Sequence, residues 1–227
     1  TVPNLGATAA NTVTFRPAAG ATNLTITTNN DNGTLNLDGA KYVYFDGRAG
    51  GTGTTKNLTI ENTSTALVVQ SVAGASSSGV NITLAGAATG LAVGMFVGVS
   101  PGAGLFAAGT KIATTTDATH FSVTSAPIVA LNAGTTVITA GYNNSAIKFI
   151  NDATNNTISY CFVKSRNKSA TSGTIFFSNT TGSTGNDNNT VDNCDIGGDA
   201  TNTPLNAIYS DGSPTTAATY NSGNIIS

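Results

Sequence analysis

Asn156-Thr157-Ile158-Ser159-Tyr160-Cys161-Phe162-Val163 returns further along the chain as Asn189-Thr190-Val191-Asp192-Asn193-Cys194-Asp195-Ile196. The shift is 33 residues (194 − 161), and both copies carry the two-residue alternation of a half-buried strand. Asn57-Leu58-Thr59-Ile60-Glu61-Asn62 reads as an earlier copy, and Asn23-Leu24-Thr25-Ile26 as one 34 residues before that (60 − 26). Such a period, with a short alternating run in each copy, predicts a solenoid in which every coil buries its inner face only against its neighbours.

Other runs recur in step. Ile147 in Ser145-Ala146-Ile147-Lys148-Phe149-Ile150, Ile175 in Gly173-Thr174-Ile175-Phe176-Phe177-Ser178 and Ile208 in Asn206-Ala207-Ile208-Tyr209-Ser210 lie 28 (175 − 147) and 33 (208 − 175) residues apart. Thr34-Leu35-Asn36-Leu37-Asp38-Gly39 and Tyr42-Val43-Tyr44-Phe45-Asp46-Gly47 read as two strands, each ending in an Asp-Gly turn. A coil then holds roughly three short strands, paired in parallel with those of adjacent coils at about 4.8 Å. The Asn residues suit the bends, because Asn tolerates left-handed backbone and bonds to nearby main chain. Stacking predicts amide ladders, with Asn156 over Asn189 and Asn62 in a place equivalent to Asn193.

Composition agrees with this all-β reading. The 227 residues are 39% hydrophobic and only 9% charged, with 26 Gly, one Met and no Trp, which suits short strands between tight turns. A net charge of −2 with scattered Lys and Arg argues against nucleic acid or an acidic membrane surface as partner. Lys164, Arg166 and Lys168 form the nearest approach to a basic cluster and read as a solvated turn. No apolar run reaches the ~18 residues of a membrane span. The chain lacks an initiator Met and a signal peptide, and Ser222-Gly223-Asn224-Ile225-Ile226-Ser227 reads as the start of a further copy, so a piece of a longer protein is expected.

The period fails in one place. Between Ser71 and Tyr142 the Asn-Thr-Ile phrase is absent, and short runs such as Val80-Asn81-Ile82-Thr83-Leu84, Gly94-Met95-Phe96-Val97-Gly98, Thr110-Lys111-Ile112-Ala113, His120-Phe121-Ser122-Val123 and Thr135-Thr136-Val137-Ile138 are set off by Gly, Pro and Asp. The organisation predicted is coils over residues 1–70, a small inserted β-domain over 71–142, and coils resuming over 143–227. The rim of the insert is a candidate contact surface; a spacer is the other reading.

The inventory for chemistry is thin. His120 is the only histidine and has no nucleophile motif beside it, so a surface or structural role is expected, and Met95 reads as packing. Asp187, Asp192, Asp195 and Asp199 cluster in sequence, and paired carboxylates can serve as acid and base or bind calcium. Yet Asp192 aligns with Ser159 and Asp195 with Phe162, so adjacent coils stack no carboxylate cleft there, and the Asp187-Asn188-Asn189 turn reads as a solvated Asx turn. Cys161 and Cys194 fall at equivalent positions, about 4.8 Å apart, which allows a disulfide or two buried thiols. The thiols are favoured, because parallel side chains on neighbouring coils give poor disulfide dihedrals. No catalytic residue, metal site or cofactor is assigned.

The coil phrases from Leu35 to Arg48, Asn57 to Ser64, Ala146 to Asn151, Gly185 to Val191 and Asn206 to Ser210 resemble the right-handed parallel β-helix regions of very large surface proteins of Bacteroidota. The resemblance covers about two-thirds of the chain, everything outside the insert. It implies an extracellular, cell-surface setting, export by the type IX secretion machinery, and adhesive or gliding-motility roles. Such helices carry no universal active site, so it implies a non-enzymatic segment acting as rigid stalk or display scaffold. Its partners would be surface glycans, other surface proteins, or neighbouring segments or copies stacked end to end. Two alternatives stay open, a polysaccharide lyase or glycoside hydrolase and a self-assembling extracellular filament subunit.

Overall fold

The computed structural model describes residues 1–30, 33–64, 69–70, 75–99, 104–107, 110–133, 138–141, 144–167, 169, 172–178, 182–199, 202–212 and 216–227. In chain order the strands begin with β1 (Val13–Phe15), β2 (Leu24–Thr28), β3 (Leu35–Asp38), β4 (Val43–Asp46) and β5 (Leu58–Asn62). There follow β6 (Val69–Gln70), β7 (Ser76–Ser78), β8 (Asn81–Thr83), β9 (Phe96–Val99), β10 (Ile112–Thr115), β11 (His120–Val123) and β12 (Ile138–Gly141). The series ends with β13 (Ile147–Ile150), β14 (Thr157–Ser159), β15 (Cys161–Ser165), β16 (Ile175–Phe177), β17 (Thr190–Asp192), β18 (Asp195–Gly197), β19 (Ile208–Ser210) and β20 (Ile225–Ile226). The fold is all-β, and the chain divides into two compact units, Thr1–Thr65 with Asn144–Ser227, and Ala66–Asn143.

In the first unit every sheet is parallel. Sheet 1 has the order β3-β13-β16-β19, sheet 2 β1-β4-β14-β17-β20 and sheet 3 β2-β5-β15-β18. The chain visits sheets 1, 2 and 3 in turn and then repeats the circuit, so residues one circuit apart become register partners. Ile147 pairs with Leu35 on one side and Ile175 on the other, and Ile175 with Ile208. Leu24 pairs with Leu58 and Thr157 with Thr190, as the sequence periods require. Alternate residues point inward. Leu37, Val43, Ile60, Phe149, Ile158, Val163 and Ile175 are fully buried in one core, and burying a side chain of this size contributes ~1.5–3 kcal/mol.

One expected alignment is overturned. Ile60 pairs with Val163 and Asn62 with Ser165, whereas Ile158 pairs with Phe45. The Asn57 phrase therefore lies in sheet 3 beside the second half of the Asn156 phrase, the Asn156 and Asn189 phrases begin in sheet 2 and cross into sheet 3, and Asn62 is not the counterpart of Asn193. The cause is the corner between sheets 2 and 3. In the β14–β15 circuit Tyr160 alone turns it, but residues 47–57 intervene between β4 and β5, closed at their base by Asn57 N–H donating to the Gly47 carbonyl at 2.8 Å. Asn57 and Asn156 each follow a corner, and so open their phrases with Asn and alternation in different sheets.

The ladders hold where the register holds. Asn156 Oδ1 accepts from Val43 N–H at 3.0 Å and Asn156 Nδ2 donates to the Ala40 carbonyl at 2.8 Å. Asn189 repeats the arrangement one circuit on, and its backbone and amide N–H groups donate to Asn224 Oδ1 at 2.9 and 3.1 Å. Asn186 donates from backbone and amide to Asn221 Oδ1 in the same way, at 3.1 and 3.0 Å. Phe149 and Phe177 stack at 4.5 Å between centroids and 6° between planes. Asn23, Asn155, Asn188 and Asn193 take positive φ at bends.

The second unit is antiparallel, with sheets β10-β11-β8-β7 and β6-β12-β9 around a core that includes Ile82, Met95, Ile112, Phe121, Val123 and Ile138. Residues 134–137, most of the run Thr135 to Ile138, lie outside the described residues, as do Ser71, Tyr142 and Asn143 at the expected boundaries. The first unit brings its two flanking segments together: Asn144 Nδ2 donates to the Ser64 carbonyl, and Asn62 Nδ2 to the Ser145 carbonyl at 3.1 Å. No helix among the described residues is long and apolar enough to cross a membrane.

Candidate functional site

The corner between sheets 2 and 3 gathers a set of charged and aromatic side chains. Asp46 ends β4, Ser159 ends β14 and Asp192 ends β17, and the three are register partners in a row. Two steps of about 4.8 Å separate the two carboxylate positions by about 9.6 Å, with a serine between them. Sequence alignment of adjacent copies found Ser159 opposite Asp192 but missed Asp46 in the circuit beyond. That residue is the Asp of Phe45-Asp46-Gly47, whose alignment with Ile158-Ser159-Tyr160 is hidden by the loop 47–57 and the insert.

The loop supplies Arg48. Its Nε donates to Asp46 Oδ1 at 2.8 Å and its Nη2 to Asp46 Oδ2 at 3.0 Å, a two-pronged pair, while its guanidinium lies over the Tyr160 ring at 4.5 Å. Tyr160 itself has φ 51°, a left-handed conformation unusual for a bulky residue. Burial acts to raise the Asp46 carboxyl, but the bonds and charge of Arg48, with the charge of Arg16, outweigh it and hold the group below the ordinary carboxylate range. Asp192 is also held low, by hydrogen bonds from Asn193 Nδ2 at 2.9 Å and Ser227 Oγ at 2.7 Å. Around the corner, Lys56 Nζ meets Asp195 Oδ1 at 2.6 Å, and Lys56 and Lys164 lie 5.9 and 5.7 Å from the Phe162 ring.

This arrangement favours the ionised form of both carboxyls in the row. Glycoside hydrolysis needs one carboxyl kept protonated beside another kept ionised. Asp46 and Asp192 are both pushed toward ionisation. Burial pushes up the carboxyl of Asp211, which follows β19 in sheet 1, a different sheet. Arg48, the cation beside the carboxylates, is already committed to Asp46.

The other sequence candidates fall elsewhere. Asp187 Oδ1 accepts from Ser222 N–H across a bend, and Asp199 pairs with Arg166 at 2.8 Å, so the four clustered carboxylates have separate partners. Lys168 lies outside the described residues. His120 sits in the insert, half exposed, with its Nδ1 3.0 Å from Asp117 Oδ2 in a turn that Asp117 caps by accepting from the backbone of Thr119 and His120. Met95 is buried in the insert core. Cys161 is fully buried and Cys194 partly so, and both are free thiols. No cluster of three or more metal-ligating side chains occurs among the described residues.

No protein-family model matches the chain, and no curated protein matches it. Among solved structures, the tailspike protein gp49 from Pseudomonas phage LKA1 is similar at 14% identity and a TM-score of 0.31, over 90% of this chain. The chain spans 42% of the length of that protein. A likeness at that level assigns neither fold nor activity to this chain.

Proposed function

We propose that this chain is a non-enzymatic segment of a large secreted cell-surface protein, a rigid stalk or display scaffold. Its circuits form a right-handed parallel β-helix solenoid of about three strands per coil, and the unit Ala66–Asn143 is the element it displays. The observation that carries the reading is the amide ladder. Asn156 and Asn189 are fully buried and spend their side chains on bonds between circuits, which stiffens a stack. The resemblance of the coil phrases to surface proteins of Bacteroidota supports an extracellular setting, export by the type IX machinery and a role in surface attachment or gliding motility. Glycans or other surface proteins are the partners in this reading.

The test compares the intact chain with one in which residues 66–143 are replaced by a short linker, on a glycan array and on cells. Binding lost with the insert and no cleavage of any polysaccharide offered is the expected result; binding unchanged by the deletion removes the display role.

The row Asp46-Ser159-Asp192 favours a second reading, a glycan-cleaving β-helix. Its backbone span of about 9.6 Å is close to the roughly 6.5–9.5 Å that separates the carboxyl groups of inverting glycosidases. Release of reducing ends that vanishes in Asp46→Asn and Asp192→Asn would establish it.

A further inference from the structure

Cys161, the first residue of β15, and Cys194, just before β18, stand one residue before the register pair Phe162 and Asp195 of sheet 3. Each follows a bend residue of positive φ, Tyr160 at 51° and Asn193 at 49°. The two side chains point the same way. The Cys161 thiol lies 3.9 Å from the Phe45 carbonyl and the Cys194 thiol 3.6 Å from the Ile158 carbonyl, and Phe45 and Ile158 are themselves partners one circuit apart. Neighbouring parallel strands lie about 4.8 Å apart, inside the Cα separations of about 4.4–6.8 Å that disulfides span. Aligned rotamers do not bond, so closure requires one thiol to rotate toward the other. Cys194 has the room, being only partly buried where Cys161 is enclosed on all sides.

We propose that Cys161 and Cys194 are a dithiol pair that closes to a disulfide between circuits by exchange with a small-molecule disulfide, Cys194 reacting first and Cys161 resolving. The Cys194 thiol loses its proton and attacks one sulfur of the oxidant, whose S–S bond breaks; the departing thiolate takes up a proton and leaves as a thiol. Cys161 then loses its proton and attacks Cys194 Sγ in the mixed disulfide, releasing the second thiol. Two protein thiols are oxidised to one disulfide as one small disulfide is reduced to two thiols.

The electrostatics assign the same order. Hydrogen bonding between the two thiols, together with burial, pushes Cys161 up, whereas the same hydrogen bond holds Cys194 below an ordinary thiol, with Lys56 adding a favourable charge. A thiolate is the attacking species, and exposure governs which thiol an external disulfide reaches. Both criteria select Cys194.

Incubating the intact native chain with oxidised glutathione, quenching in acid and measuring intact mass tests this directly. The expected result is loss of two hydrogen masses and a peptide map joining Cys161 to Cys194 within one chain. Cys161→Ser is expected to stop at a lasting glutathione adduct on Cys194, and Cys194→Ser to stay unmodified while folded. Should Cys161→Ser not fold, early quenching of the wild-type chain reads the same intermediate. Two thiols that remain free, a lasting mixed disulfide in the wild-type chain, a bond between two chains, or first reaction at Cys161 would each overturn the proposal.

Discussion

Asn189 Oδ1 accepts two hydrogen bonds from Asn156, one from its backbone N–H at 3.0 Å and one from its Nδ2 at 2.9 Å. Asn189 Nδ2 in turn donates to the Ala153 carbonyl at 2.9 Å, so one amide holds the bend of the circuit before it at two points. Asn189→Ala leaves buried donors and an acceptor unpaired, at about 1–3 kcal/mol for each group. A loss of about 3 kcal/mol or more in denaturant unfolding is expected. Asn189→Asp keeps the acceptor but buries a charge, so part of its loss is recovered in acid, where the protonated carboxyl can again donate.

The ring stack makes a separate prediction. Phe149 is fully buried against Phe177, whereas Phe15, stacked on Phe45 at 4.9 Å, is 43% exposed at the outer strand of sheet 2. Phe149→Ala is expected to cost about 3–5 kcal/mol, and Phe15→Ala about 1 kcal/mol, because little cavity forms where solvent already reaches the ring. Guanidinium midpoints of the two variants, measured side by side, check the ordering.

Gly47 is required by its surroundings. A Cβ there would overlap the Tyr160 carbonyl, a backbone atom that cannot turn aside. Gly53 has φ 77° but open space where its Cβ would go. Gly47→Ala is therefore expected to lower the melting temperature far more than Gly53→Ala, whose cost is the ~1–2 kcal/mol of left-handed backbone. Equal effects of the two would contradict the close approach at this corner.

The carboxylates set the acid side of the stability curve. Asp46 and Asp192 titrate below the unfolded value of about 3.9, so the stability they add is complete above that pH and is lost as pH falls through their folded pKa. Asp211 has the opposite sign. Burial pushes it up, so its ionised form opposes folding at neutral pH, and this cost disappears as pH falls through its raised pKa toward the unfolded value. Asp211→Asn is expected to raise the melting temperature by roughly 1–3 °C at pH 7 and by nothing at pH 3. Asp192→Asn is expected to lower it at pH 7, with the difference shrinking in acid; melts at pH 7, 5 and 3 read both.

What could be read without coordinates follows from where spacing is preserved. Ile147, Ile175 and Ile208 keep near-constant separations, so sheet 1 and the pairing of Asn156 with Asn189 were legible. The Asn57 phrase aligns with the residues from Cys161 rather than with those from Asn156, because the ten-residue corner from Gly47 to Lys56 precedes it where a later circuit uses Tyr160 alone. The same loop and the insert put Asp46 far from Ser159 and Asp192 in sequence, so the row of three had no period to reveal it. Arg48 carries no sequence signal either, since its role depends on a loop that folds back over Tyr160.

Thr14, Tyr44, Thr157, Thr190 and Ile225 are successive register partners along sheet 2, although 211 residues separate the first from the last (225 − 14). Four steps of about 4.8 Å place Thr14 and Ile225 about 19 Å apart. Spin labels at Thr14→Cys and Ile225→Cys, in a chain carrying Cys161→Ala and Cys194→Ala, measure this separation by double electron–electron resonance. A narrow distribution near 19 Å, allowing for the label arms, is the result that continuous stacking of circuits predicts; a broad one centred beyond roughly 30 Å would contradict it.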